Sequence, residues 1–401
     1  MSKNRYAAII CEYNPFHHGH LLQIELLKKE YDGIICIMSG NLVQRGEAAV
    51  ADKYNRAKAA VMCGASLVVE LPFPFSMLSA RDFAAAGVNI AARLGVNALG
   101  FGCEDDFGLL ERISSVTEEP SFNTQLEQLI KEEKNLSYPK AMEKLTESIL
   151  GYKAAEIIKK PNNILTLEYL SAIKNGNYPI KPHPVRRDMS LRSSSSIRKE
   201  RDRAVYLSML PVNSAAVYGG LSEDELPRST ENLSQFIIGT LRNRSEDKKN
   251  KEYYGTPEDL YNSIMSTSRK VRSFSQLIDI CQNSLYTAAR VRRSVLSIVF
   301  DVRPNDALCK PLCTIMLAAD KAGCAFLRNR KKRFEIPVLT KPSHINRKSE
   351  DIKSAFFRGE RVDGVLTLSE AGNSESDTGM LRKSPFILDR DRLVGRGESD
   401  A

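Results

Sequence analysis

Apolar positions in the first hundred residues fall into two alternating patterns. Unbroken apolar runs read as buried strands: YAAIICEY from Tyr6, GIICIMSG from Gly33, SLVVELP from Ser66 and VNALGFGCE from Val96. Between them lie stretches with helical spacing. These are GHLLQIELLKKEY from Gly19, DKYNRAKAAVMCGA with Asp52 as N-cap and Gly64 as stop, and SARDFAAAGVNIAARLG from Ser79. Strands that are apolar throughout, alternating with amphipathic helices, predict an α/β fold with a doubly wound parallel sheet. Ligands of such sheets bind beyond the carboxyl ends of the strands. Here those ends carry CEYNPFHHGH, MSGNLVQRGE, ELPFPFS and FGCEDD, so the unusual residues gather on one rim.

Residues 104–160 are mainly helical in pattern. KPNNILTLEYLSAIKNG then predicts a helix capped by Asn162 or Asn163 and closed by Gly176. YPIKPHPVRR reads as a last extended segment, and SLRSSSSIRKE as a serine run leading into a helix. From about residue 205 the period is helical with few strand signals; RFEIPVLTKPS and VDGVLTLSE are the late strand candidates. The chain thus divides into a doubly wound domain (1–204), a mainly helical domain (205–372) and a polar tail (373–401).

Composition narrows the class. Of 401 residues, 42% are hydrophobic and 27% charged, as in soluble globular proteins. No apolar run reaches the length of about 18 that a membrane span needs. The N-terminus meets Glu12 too soon for a signal peptide, so a cytoplasmic location is expected. The eight cysteines are scattered as reduced thiols would be; Cys309 and Cys313 are four apart, without a second zinc-type pair. A net charge of +9 favours a polyanionic partner.

Three of the five histidines, His17, His18 and His20, sit between the first strand and the first helix. A helix N-terminus has unpaired N–H groups and favours an anion, and imidazoles there donate to phosphate oxygens. Gly19 lets a flat ring approach the backbone, and Asn14-Pro15 sets the turn. Metal ligation by His17 and His20 would need a third ligand, and no zinc-type spacing supplies one; no metal site is assigned. Plain surface histidines are the other alternative. Gln44 and Arg45 lie on the same rim and read as pocket residues. Lys53, Arg56 and Lys58, on the following helix, read equally as a solvated face or as contacts to a ligand or RNA.

The pattern H-x-G-H directly after strand one, paired with SSSSIRK at Ser193–Lys199, resembles the nucleotidylyltransferase superfamily. More narrowly, EYNPFHHGH, MSGNLVQRGE, VELPFPFS, FGCE, YPKAM, KPNNIL and SIRK stand in the order found in bacterial tRNA(Met) cytidine acetate ligases. That resemblance covers the first half of the chain through its motifs. It implies that ATP and acetate form acetyl-adenylate and pyrophosphate, and that the acetyl group then passes to the wobble cytidine of elongator tRNA(Met). Mg²⁺ would accompany ATP as its counter-ion.

The resemblance carries over residue by residue. His17 and His20 are the expected catalytic residues. ATP contacts are expected from Ile10, Cys11, Glu12, Tyr13, Asn14, Pro15, Phe16, His17, His18, Gly19, His20, Leu21, Leu22 and Gln23. Gly102, Asn162, Arg187, Ser195, Ser196 and Arg198 complete that set, with Asn163 and Arg186 as neighbours that could exchange with Asn162 and Arg187. Gln23 stands where family members often have His, and His18 where they often have a residue such as Asn. RNA contacts are expected from Arg290, Arg292, Arg293, Arg330, Lys331, Lys332 and Arg333, with Tyr286, Phe300 or Phe334 as stacking candidates. Two other readings stay open: a nucleotidylyltransferase acting on a small phosphorylated metabolite, and a non-catalytic RNA-binding protein.

Overall fold

A computed structural model describes residues 5–133, 136–223, 225–244, 252–370 and 384–389. Most of the expected tail, 373–401, lies outside these residues. The first half follows the sequence pattern: β1 (Tyr6–Cys11), α1 (His18–Leu27), β2 (Gly33–Ser39), α2 (Lys53–Met62), β3 (Leu67–Leu71), α3 (Ala80–Arg93) and β4 (Ala98–Cys103). A helical excursion over 107–157 precedes α4 (Pro161–Asn175) and β5 (Lys181–Arg186). These five strands are parallel in the order β3-β2-β1-β4-β5. The order reverses direction at β1, which places a crevice between the ends of β1 and β4. Alternate residues of β1 feed opposite cores: Ala8 and Ile10 on one face, Ala7 and Ile9 on the other.

Several expectations change. The helix α4 is capped by Lys160 with Pro161 in its first turn, not by Asn162 or Asn163, because Pro supplies the helical φ and lacks the N–H a cap would satisfy. Of the late strand candidates, only Val338–Leu339 is extended; Val362–Leu366 ends α6 (Glu350–Leu366), because its apolar residues continue a helical period. The later half also holds α5 (Ala288–Val299), β6 (Thr314–Asp320) and β7 (Phe386–Leu388). Strand β6 joins the main sheet antiparallel to β3, and β7 extends it further. The sheet is therefore mixed, with the five parallel strands at its centre.

Lys53 is neither on a solvated face nor placed to meet a ligand; it is 1% exposed. Its Nζ lies 2.9 Å from Glu70 Oε2 on β3 and 2.6 Å from Asp363 Oδ2 on α6, with Glu360 at 3.9 Å. Asn41 Nδ2 donates to Asp363 at 2.9 Å, closing the cluster. Burial opposes the Lys53 charge, but Asp363, Glu70 and Glu360 outweigh it and hold the ammonium well above its ordinary pKa. The cluster fastens α6 to the sheet. Removing one member of a buried ion cluster leaves the others uncompensated, at a cost of about 3–5 kcal/mol. Lys53→Met is expected to lower unfolding free energy by about that amount, read as the shift in a urea transition.

Candidate functional site

A cavity of about 550 Å³ opens at the reversal point of the sheet. Its walls come from the end of β1, the start of α1, the end of β4, the first turns of α4, the end of β5 and the Ser194–Ser195 turn. Strand ends and helix starts meet here because every crossover returns its chain to the same edge. Five arginines line the cavity (Arg45, Arg186, Arg187, Arg192, Arg198) against three carboxylates (Glu12, Glu104, Asp188), a balance that favours an anion.

His17 is the N-cap of α1, and its Nδ1 accepts the Gly19 N–H at 3.0 Å. His20 Nδ1 accepts the His17 N–H at 3.3 Å, so the two rings cap the helix reciprocally. The rings stack with centroids 3.8 Å apart. Each Nδ1 is used as an acceptor, which fixes the proton of the neutral ring on Nε2. Tyr13, fully buried at the end of β1, supports His20 at 4.8 Å between centroids. Burial, then the Arg187 charge, lowers the His17 pKa to about 4. Burial, then His17 and Arg187, pushes His20 well below its ordinary value. At neutral pH both are uncharged Nε2–H donors. A Cβ on Gly19 would meet the His17 ring at 3.0 Å, so a side chain here would press on that ring.

The rest of the wall is held in place. Glu12 Oε1 accepts the Gln44 N–H at 2.9 Å, and burial pushes its carboxyl pKa up. Glu104 accepts from Arg187 Nη1 at 2.9 Å and from Asn162 Nδ2. Arg198 donates to the Asn14 carbonyl at 2.7 Å and to Ser195 Oγ at 3.4 Å, while Arg45 reaches Ser195 Oγ at 3.3 Å. The serine motif is a single turn, Ser194–Ile197, capped by Ser193.

The cavity gathers Ile10, Cys11, Glu12, Tyr13, His17, Gly19, His20, Leu22 and Gln23 with Gly102, Asn162, Arg187, Ser195 and Arg198. Asn14, Pro15, Phe16, His18, Leu21 and Ser196 do not line it. Asn14, Pro15 and Phe16 are buried under the turn, His18 points outward at the first residue of α1, and Ser196 Oγ donates to the Ser193 carbonyl at 2.8 Å. Asn162 faces the cavity, whereas Asn163 lies below it and donates to Asp105 at 2.7 Å. Both Arg186 and Arg187 reach the lining; only Arg187 is tied to Glu104. Sequence reasoning missed Leu165 and Tyr169, which form an apolar shelf with Phe101. Their signal was there: both follow Asn162 at helical spacing.

The expected RNA residues separate. Arg292 Nε donates to the Arg45 carbonyl at 3.1 Å and lies 3.3 Å from Glu47, and Arg293 Nη1 donates to the Gln44 carbonyl at 3.3 Å. Gly46 has φ +72, and a Cβ there would meet the Arg293 nitrogen at 2.8 Å, so the Gln44–Gly46 turn lies flat on α5. Arg330 donates to the Gly95 carbonyl at 2.6 Å. Arg290 lies over the Tyr286 ring, and Lys331, Lys332 and Arg333 are exposed.

Residues 4–375 match the family described as HIGH Nucleotidyl Transferase. The chain is 30% identical to the tRNA(Met) cytidine acetate ligase of Syntrophotalea carbinolica, over 85% of this chain and 86% of that one. It is 29% identical to the tRNA(Met) cytidine acetate ligase of Bacillus subtilis, over 96% and 97%. In fold it is similar to the crystal structure of Thermotoga maritima TmcAL bound with alpha-thio ATP: TM-score 0.86, 24% identity, 96% of this chain and 99% of that one. The chain belongs to the HIGH nucleotidyl transferase family and, within it, to the tRNA(Met) cytidine acetate ligases.

The depressed His17 pKa has a thermodynamic consequence. Below pH 6.5 the unfolded chain takes up a proton that folded His17 refuses until about pH 4. Stability contributed by the neutral ring is complete above pH 6.5 and lost as pH falls through that window, by up to about 3 kcal/mol. The urea midpoint is expected to drop between pH 7 and pH 5, and to drop less in His17→Asn.

Proposed function

We propose that this chain activates acetate with ATP and passes the acetyl group to the wobble cytidine of elongator tRNA(Met), in the cytoplasm. The stacked neutral pair His17–His20 in the wall of an arginine-rich cavity is the observation that carries the reading. In the first step an acetate oxygen attacks the α-phosphorus, the bond to the bridging β-oxygen breaks, and pyrophosphate leaves with that electron pair. In the second, cytidine N4 attacks the acetyl carbon, AMP leaves and N4 gives up one proton. The product is N4-acetylcytidine.

The protein positions groups and stabilises charge; it need not bond covalently to the substrate. The Nε2–H groups of His17 and His20 donate to the α- and β-phosphate oxygens, where charge grows as pyrophosphate departs. A preorganised donor of this kind contributes about 2.7–4 kcal/mol. Arg45, Arg187 and Arg198, with Ser195, hold the phosphates, while Gly102 and the Leu165–Tyr169 shelf receive the nucleoside. Magnesium would enter as the counter-ion of the ATP phosphates and spread their charge. Among the described residues no helix is long and apolar enough to cross a membrane.

The 205–372 region engages tRNA through its exposed cations, Lys331, Lys332 and Arg333, and separately through Arg290 over the Tyr286 ring. Arg292 and Arg293 act differently: they fix the turn that carries Arg45 to the phosphates.

Label from radioactive acetate is expected to enter bulk bacterial tRNA only with ATP present, and acetate-dependent ATP–pyrophosphate exchange should occur without RNA. His20→Ala is expected to cut that exchange by at least a hundredfold; normal exchange would refute its role. Arg293→Ala should raise the KM for ATP in exchange without tRNA. Lys332→Ala should instead leave exchange intact, weaken tRNA binding and reduce its salt slope by about one.

A further inference from the structure

A second cavity, of about 420 Å³, shares no lining residue with the first. Its floor is aromatic. Phe300, at the end of α5, faces Phe236 with ring centroids 6.4 Å apart and planes 31° from parallel, and Phe73 closes the edge at 6.1 Å. Phe236 lines this cavity and is 36% exposed. The walls are cationic: Arg244, Arg303, Arg358 and Arg361 against Asp301 and Asp306. The two aspartates hold the guanidinium groups in place, with Arg303 Nη2 at 2.6 Å from Asp301 and Arg358 Nη1 at 2.7 Å from Asp306, and a net positive charge remains. Arg361 is exposed on α6.

The position is as telling as the chemistry. Helix α5 touches the ATP-side turn through Arg292 and Arg293 and reaches the second cavity through Val299 and Phe300. Seven residues of helix from Arg293 to Phe300 span about 10 Å, within the reach of a few splayed nucleotides. Phe73 lies two residues beyond β3, so Phe300 packs against the carboxyl end of that strand.

We propose that this second cavity binds a nucleotide of the tRNA other than the reacting cytidine: its base stacks on Phe236 and Phe300, and its phosphate meets Arg361 and the flanking arginines. Aromatic faces bordered by guanidinium groups are how single-stranded RNA is held, and a base splayed out next to a modified one needs such a platform. The inference rests on the reading that this chain binds tRNA.

The test measures tRNA binding at fixed salt, together with RNA-independent exchange, in Phe236→Ala, Phe236→Tyr and Arg361→Glu. Phe236→Ala is expected to weaken tRNA binding about tenfold, Phe236→Tyr to restore it, and Arg361→Glu to weaken it comparably, with exchange reporting that the first cavity is intact. Unchanged tRNA affinity in both Phe236→Ala and Arg361→Glu would overturn the assignment. So would a change confined to ATP affinity, which would make the cavity a site for free nucleotide, or one confined to polyglutamate binding, which would make it a site for acidic protein. Should Phe236→Ala fold poorly, the surface substitution Arg361→Glu decides. A wild-type protein that binds tRNA yet places no acetate label on it would refute the proposed reaction and leave this cavity's assignment standing on its own variants.

Discussion

The guanidinium of Arg56 is the fixture on which the active rim depends. It is fully buried, and it donates to the carbonyls of Ala51 at 3.0 Å, Glu12 at 2.5 Å, Ser39 at 3.1 Å and Gly40. These four carbonyls end β1, end β2 and introduce α2. Strand ends leave such groups without ladder partners, and a buried orphan carbonyl is costly. One planar side chain with five donors satisfies them together, which a lysine could not do. The Glu12–Tyr13 corner is thereby fixed in space, and with it the turn that delivers His17 to the start of α1.

From that fixed corner the organisation spreads in two directions. Glu12 accepts the Gln44 N–H, and the Gln44–Gly46 turn in turn lies against α5. Lys53, one turn before Arg56, binds Asp363 of α6 and Glu70 of β3. The helical half of the chain is thus joined to the sheet and its cavity-lining turn by direct bonds at two points. In the proposed reaction an RNA on the helical half and a nucleotide on the sheet would share one frame, which suits bringing two substrates to a common atom.

Much of this was legible in the sequence. Strand runs of β1 to β4 are almost wholly apolar, Glu70 and Ser39 excepted, because both faces are covered. H-x-G-H and the distant SSSSIRK both reach the same cavity. The burial of Lys53 and Arg56 was not legible: on a helical wheel a lysine three residues before an arginine looks like a solvated face, and only the late carboxylates of α6 and the strand-end carbonyls give them partners. The same holds for Arg292 and Arg293, whose backbone acceptors lie almost 250 residues earlier in the chain. Strand β6 was missed for a related reason. TIMLAAD sits among helical patterns, and its identity as a strand comes from the edge of β3 that it meets. The outward placement of His18 and Ser196 follows from helix phase at each turn, which residue type alone does not encode.

The pairing of β3 with β6 also bears on biosynthesis. Leu67 is bonded into register with Ala319, so one edge of the nucleotide-binding sheet stays uncovered until more than 250 further residues have been made. At roughly 5–20 residues per second that interval lasts roughly 12–50 s. Throughout it, Leu67-Val68-Val69 presents an unpaired, wholly apolar edge of the kind that recruits foreign strands. Nascent chains of this protein therefore have reason to depend on a chaperone in a way the finished molecule does not, and a ribosome stalled anywhere before β6 holds a sheet ready to aggregate.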